Sequence, residues 1–143
     1  GTAKVLMAYR DLDLTETNVA RRGFEWLMKV QNHDGGWGGG PALEARHGNG
    51  RTSSVEETAL AVEALLAAQD DSVQPAISKG LEWLIEAIES DRHLETSPIG
   101  FYFAKLWYYE KLYPLTFTVS ALGRAMCCDP ARPKQTAVAR QTC

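Results

Sequence analysis

The sequence predicts an all-α chain built from repeated helix pairs. Three observations carry that expectation. Apolar residues recur at helical spacing through most of the 143 residues, and no segment alternates with period two for long. A hexapeptide, ArgGlyPheGluTrpLeu at 22–27, returns as LysGlyLeuGluTrpLeu at 79–84, an offset of 57 residues. The same offset, within one or two residues, relates the apolar pattern at 2–10 to that at 58–66. The unit is therefore two helices, and copies of such a unit bury their faces only against neighbours.

The elements follow in order. Val5, Leu6 and Tyr9 already stand in a helical pattern with no cap before it, which reads as a piece of a longer polypeptide. Val19, Phe24, Trp26, Leu27 and Val30 form the second stripe, with Thr15 or Thr17 as its N-cap. Ser53 and Ser54 each precede a glutamate by three residues, a capping-box pattern opening a helix through Val62, Leu65 and Leu66. Ile77, Leu81, Leu84 and Ile88 mark the fourth helix, with Pro75 in its first turn. A fifth is expected from about Phe101 to Tyr113, and a sixth from Pro114 through Val119 and Leu122. Residues 128–143, proline-bearing and poor in large apolar groups, are expected to form a flexible tail after a domain at 1–127.

Composition excludes several classes of function. A net charge of −3 and a pI near 5.6 supply no basic stripe for nucleic acid. No run of apolar residues is long enough to span a bilayer. Cys127, Cys128 and Cys143 are odd in number, with two adjacent, and make no disulfide framework, as suits a reducing compartment. His33, His47 and His93 are far apart and without neighbouring cysteines, so no metal site is expected. Seven of the twelve glycines fall between 35 and 50, but no strand, GxGxxG or Gly-Lys-Ser/Thr accompanies them. That region reads as a helix stop followed by tight turns rather than a phosphate cradle.

The order of residues around the glycines is more telling than their number. Residues 22–37 read RGFEWLMKVQNHDGGW: a basic and a small residue, the pair Trp26-Leu27, then Gln31, then Asp34-Gly35-Gly36-Trp37. This resembles the QW repeat of the terpenoid cyclases, squalene–hopene cyclases in particular. SerSerValGluGluThrAlaLeu at 53–60 is similar to the family's Ser-Thr-rich opening of an inner helix. PheTyrPhe at 101–103, Tyr109, TyrPro at 113–114 and AlaLeuGlyArg at 121–124 follow its C-terminal order. The second repeat keeps LysGlyLeuGluTrpLeu but loses the glutamine and the DGGW, and Leu60 stands where many members carry an aromatic. Counting forward from Phe101 and back from Pro114 gives registers one residue apart, so the cavity-facing set stays open there.

The resemblance implies the last part of an (α/α)6 barrel. Gln31, Gly35 and Trp37 would form the structural tie, and Phe101, Tyr102 and Tyr109 would belong to a substrate cavity. It implies acid-initiated cyclisation of a squalene-like polyene by an intact enzyme that uses no cofactor and sits peripherally on the cytoplasmic side of a membrane. The family's acid motif, D-x-D-D, belongs upstream. Asp11-Leu12-Asp13-Leu14 lacks its third aspartate and reads as a solvated turn, so no catalytic residue is expected here. Seven of the thirteen aromatics lie between Phe101 and Tyr113, where aromatic faces could stabilise cations or simply pack a core. Partners implied are the upstream part of the same polypeptide and, through an exposed barrel edge, a second copy. Two other readings stay open: a zinc-dependent prenyltransferase subunit, and a lipid- or protein-binding toroid without catalysis.

Overall fold

A computed structural model describes residues 1–39, 52–97, 100–102, 106–108 and 110–128. Among them are five α-helices: α1 (Thr2–Asp11), α2 (Asn18–Lys29), α3 (Val55–Leu65), α4 (Gln74–Glu89) and α5 (Tyr113–Cys128). Single 3₁₀ turns stand at Asp71–Val73 and Arg92–Leu94. The fold is all-α and built from helix pairs, as a segment of an α/α toroid must be. Residues 129–143, expected as a tail, lie outside the described residues.

The helix starts obey capping chemistry. Thr17, not Thr15, caps α2: its Oγ1 accepts from the Ala20 amide at 3.3 Å, while Thr15 is buried. Ser54 caps α3 by accepting from the Glu57 amide at 3.3 Å, and Ser53 is left for another role described below. Pro75 stands in the first turn of α4, where its missing N–H costs nothing.

Helix α3 is the centre of the molecule, packed against α1, α2, α4 and α5. Nine of its residues are buried, and Ala59, Ala61 and Ala64 let neighbours approach closely. Helices α2 and α4 are amphipathic, burying Phe24 and Leu27 from one and Ile77, Trp83 and Leu84 from the other. Helix α5 lies on α3 through Pro114, Thr118 and Ala121. Lys4 Nζ of α1 sits 4.5 Å from the centroid of Phe117, joining the first and last helices. Two carboxylates are buried on α3, and each is partnered. Glu63 meets Arg10 of α1 at 3.4 Å, and Glu56 accepts from both the amide (2.9 Å) and the hydroxyl (2.7 Å) of Ser97.

One expected element is corrected. The helix predicted from about Phe101 to Tyr113 is not there; its first part is an antiparallel strand pair, β1 (Gly100–Tyr102) with β2 (Leu106–Tyr108). The register pairs Gly100 with Tyr108, Phe101 with Trp107 and Tyr102 with Leu106. Aromatic residues lose side-chain freedom in a helix and favour strands, and Gly100 is a poor helix former. Upstream, the backbone is already extended at Glu95 and held at Ser97 by Glu56.

Candidate functional site: the turn that joins the helix pairs

The residues with the densest set of specific contacts are those of the turn after α2. The last turn of any helix leaves carbonyls without backbone donors. Trp37 supplies one, its Nε1 donating to the Leu27 carbonyl at 2.8 Å, with the indole 4 % exposed. Its backbone makes a reciprocal pair with Thr58 of α3: the Trp37 amide donates to Thr58 Oγ1 (2.9 Å), and that hydroxyl donates to the Trp37 carbonyl (3.2 Å). Gln31 uses both amide hydrogens, one to the Gly35 carbonyl (2.8 Å) and one to the Ala76 carbonyl in the first turn of α4 (3.0 Å). Six residues thus tie three helices together.

Gly35 is required twice over. Its φ of +91° lies in the left-handed region, and a Cβ there would stand 2.9 Å from the Lys79 carbonyl oxygen of α4. The Trp37 ring in turn lies over Gly80, where a Cβ would stand 2.7 Å from the ring and 2.5 Å from Val62.

Asp34, exposed in this turn, is its hub, a role that its place in Asp-Gly-Gly-Trp does not reveal. Oδ1 accepts from the Gly36 amide (3.1 Å) and from Ser53 Oγ (2.7 Å), and Oδ2 accepts from the Trp83 indole (3.1 Å). The bond to Gly36 is an Asx turn, legible from Asp-Gly-Gly. Asn32 donates to the same Ser53 hydroxyl at 2.9 Å. Over the Trp83 ring stands the Arg92 guanidinium, 4.8 Å from the ring centroid. His33 beside Asp34 is exposed. This arrangement holds helices in place.

The expected cavity residues are placed less fully. Phe101 and Tyr102 belong to β1. Tyr109 lies outside the described residues. Asp11 ends α1, and Asp13, with φ of +56°, sits in the exposed turn that follows. A separate cleft of about 550 Å³ lies between α2 and the turn at 68–73, lined by Phe24 and Met28 but also by Glu16, Glu25, Asp70 and Asp71. Such carboxylates would capture a carbocation rather than steer it.

Comparison with known proteins decides the family. The model of the squalene-hopene cyclase C-terminal domain matches residues 1–127. The chain belongs to that family. Among relatives of this squalene-hopene cyclase C-terminal domain is a terpene cyclase–glycosyl transferase fusion protein of Humicola fuscoatra, 35% identical over 127 residues, which cover 78% of this chain and 9% of that protein. A squalene–hopene cyclase of Bradyrhizobium diazoefficiens is 29% identical over 125 residues, covering 80% of this chain and 19% of the relative. A dammaradiene synthase of Dryopteris crassirhizoma is 32% identical over 136 residues, covering 78% and 19%. The domain therefore spans a fifth or less of the length of these relatives. No solved structure matches it. Among the described residues, no helix is long and apolar enough to cross a membrane.

Proposed function

We propose that this chain is the C-terminal portion of a squalene–hopene-type triterpene cyclase and supplies helices and part of the cavity wall to a larger enzyme. The observation that carries the reading is the family match across residues 1–127. Relatives named squalene–hopene cyclase and dammaradiene synthase support it.

The chemistry divides between the two parts of such an enzyme. Cyclisation begins when a carboxylic acid, kept protonated and strengthened by its neighbours, protonates an alkene. That acid belongs to the upstream part, because the carboxylates described here are either exposed or engaged as acceptors. The cations that follow need a dry cavity whose walls attract positive charge without bonding to it. Aromatic faces do this, at roughly 0.5–2 kcal/mol per contact. Phe101, Tyr102 and Tyr109 are the residues assigned to that wall. The turn at 31–37 acts as the QW tie, with Gln31, Gly35 and Trp37 keeping the outer helices in register. The intact enzyme works without a cofactor, peripherally on the cytoplasmic side of a membrane, and takes a squalene-like substrate from the bilayer. The chain alone is catalytically silent.

The test is gas chromatography–mass spectrometry of squalene incubated with the longer, detergent-dispersed polypeptide, with this chain run in parallel. Cyclised triterpene from the longer protein and none from the chain is the expected result. A cyclic product from the chain alone would contradict the division of labour, and a folded longer protein that leaves squalene untouched would reject the substrate.

A further inference from the structure

The cleft between α2 and the turn at 68–73 takes no part in the cyclase reading. Its floor is apolar: Phe24 and Val73 are buried, Met28 and Ala68 half-buried. Its rim is acidic. Glu16, Glu25, Asp70 and Asp71 surround one guanidinium, Arg21, so the cleft carries a charge of −3, as much as the whole chain. Arg21 is already taken by Glu16, at 3.1 Å. Hydrogen bonding from Ser72 holds the Asp70 carboxyl below the usual aspartate range, with the charge of Arg21 adding a smaller share. Glu25 and Asp71 make no ion pair among the described residues. A second observation points to an occupant. Thr15 lines the same cleft, is 7 % exposed, and its hydroxyl has no hydrogen-bond partner among the described residues. That hydroxyl is not sealed in, since the enclosed unpartnered side-chain atoms among those residues are on His93, Thr118 and Arg124. The space left to it is the cleft. A hydroxyl buried to this degree without a protein partner calls for a ligand group to satisfy it, and the carboxylates around it favour a donor.

We propose that this cleft binds a primary alkylammonium group, its hydrocarbon stem on Phe24, Met28 and Val73, its ammonium donating to Thr15 Oγ1 and held by the carboxylates of Glu25 and Asp71. An ammonium has three donors and no acceptor, which suits a hydroxyl set among carboxylates. The volume of about 550 Å³ is that of a small-molecule pocket, far more than a bare ion fills. A metal ion needs ligands gathered at one point, and among the described residues no three or more His, Cys, Asp or Glu are so grouped. The charge of the rim rejects anions. The same ammonium chemistry is offered by a free alkylamine and by a lysine side chain of another polypeptide. Both walls of the cleft belong to this chain, so the inference holds whatever reaction the longer protein catalyses.

The experiment titrates the chain at neutral pH with n-hexylammonium, methylammonium and n-hexanol, following the backbone amides of Thr15, Glu25, Met28 and Ser72 by NMR. The expected result is that hexylammonium shifts these amides with at least about tenfold higher affinity than either control, because methylammonium lacks the stem and hexanol the charge. Thr15→Val should weaken hexylammonium binding about tenfold. Glu25→Gln combined with Asp71→Asn should weaken it by a similar factor, and these exposed positions test the charge even where valine at buried Thr15 unfolds the chain. A peptide, acetyl-Leu-Lys-Leu-amide, identifies the source. Tighter binding than hexylammonium assigns a lysine of a partner, weaker binding a free amine, and both orders support the site. Hexanol binding as tightly as hexylammonium would overturn the proposal and leave an apolar crevice. So would calcium ions shifting the same amides at lower concentration than hexylammonium, or hexylammonium binding unaltered in the double variant.

Discussion

The indole nitrogen of Trp83 donates to Asp34 Oδ2 at 3.1 Å across 49 positions of sequence. This bond joins α4 to the turn that ends α2. It also completes a carboxylate that the Gly36 amide and the Ser53 hydroxyl already address. One side chain therefore couples the turn, the start of α3 and the middle of α4.

Asp34→Ala removes the acceptor for three donors, all of which belong to buried residues. Leaving such donors unpaired costs about 2 kcal/mol, with water reaching the exposed turn and relieving part of the loss. Urea denaturation should show this drop, and Asp34→Asn, which retains one acceptor oxygen, should lose less.

Two glycine-to-alanine changes should move stability in opposite directions. At Gly80 a Cβ would stand 2.5 Å from Val62 and 2.7 Å from the Trp37 ring, and such overpacking costs about 1–3 kcal/mol. At Gly123, within α5, nothing lies within 4 Å, so alanine should gain about 0.5–1 kcal/mol from helix propensity. Thermal melts of the two variants check both signs.

Glu56→Ala should release the segment that leads into β1. Glu56 is 2 % exposed and accepts both bonds offered by Ser97. Hydrogen exchange at the Ser97 amide should accelerate strongly, and stability should fall by about 1–3 kcal/mol for the donors left unpaired. Unchanged exchange at Ser97 would show that other contacts hold the segment.

Glu57 sets a pH dependence. Its Oε2 lies where a Cβ on Gly38 would be only 3.0 Å away. Glu57 as a whole is exposed, but desolvation at its carboxyl pushes its pKa up, with the Ser54 hydroxyl partly opposing and the charge of Glu56 adding to the shift. The native state then keeps this proton to higher pH than the unfolded chain does. Stability should accordingly fall as pH rises upward from the ordinary glutamate value near 4.5. Glu57→Gln should flatten that decline, so variant and wild type diverge with rising pH in denaturant midpoints; parallel curves would contradict the assignment.

Most of the helices were legible because apolar spacing and caps are local signals: Thr17, Ser54 and Pro75 each act within a turn of their own position. The β1–β2 pair was not, since periodicity cannot weigh a run of aromatics that favours strands, and its anchor at Glu56 is distant in sequence. Trp26 and Trp83 show the limit most clearly. Their local sequences nearly coincide, yet one is 50 % and the other 5 % exposed, because burial depends on which turn a neighbouring repeat offers. In the same way the Asx turn at Asp34 could be read from Asp-Gly-Gly, but its bond to Trp83 could not.

The most direct test of the account is a double-mutant cycle on Asp34→Ala and Trp83→Phe, followed by urea denaturation of the four proteins. If the turn locks one repeat to the next through this pair, the two losses will fall short of additivity by about 1 kcal/mol or more, as contacting residues do. Additive losses, within a few tenths of a kcal/mol, would mean that Asp34 serves only its own turn and that the repeats are joined by packing alone.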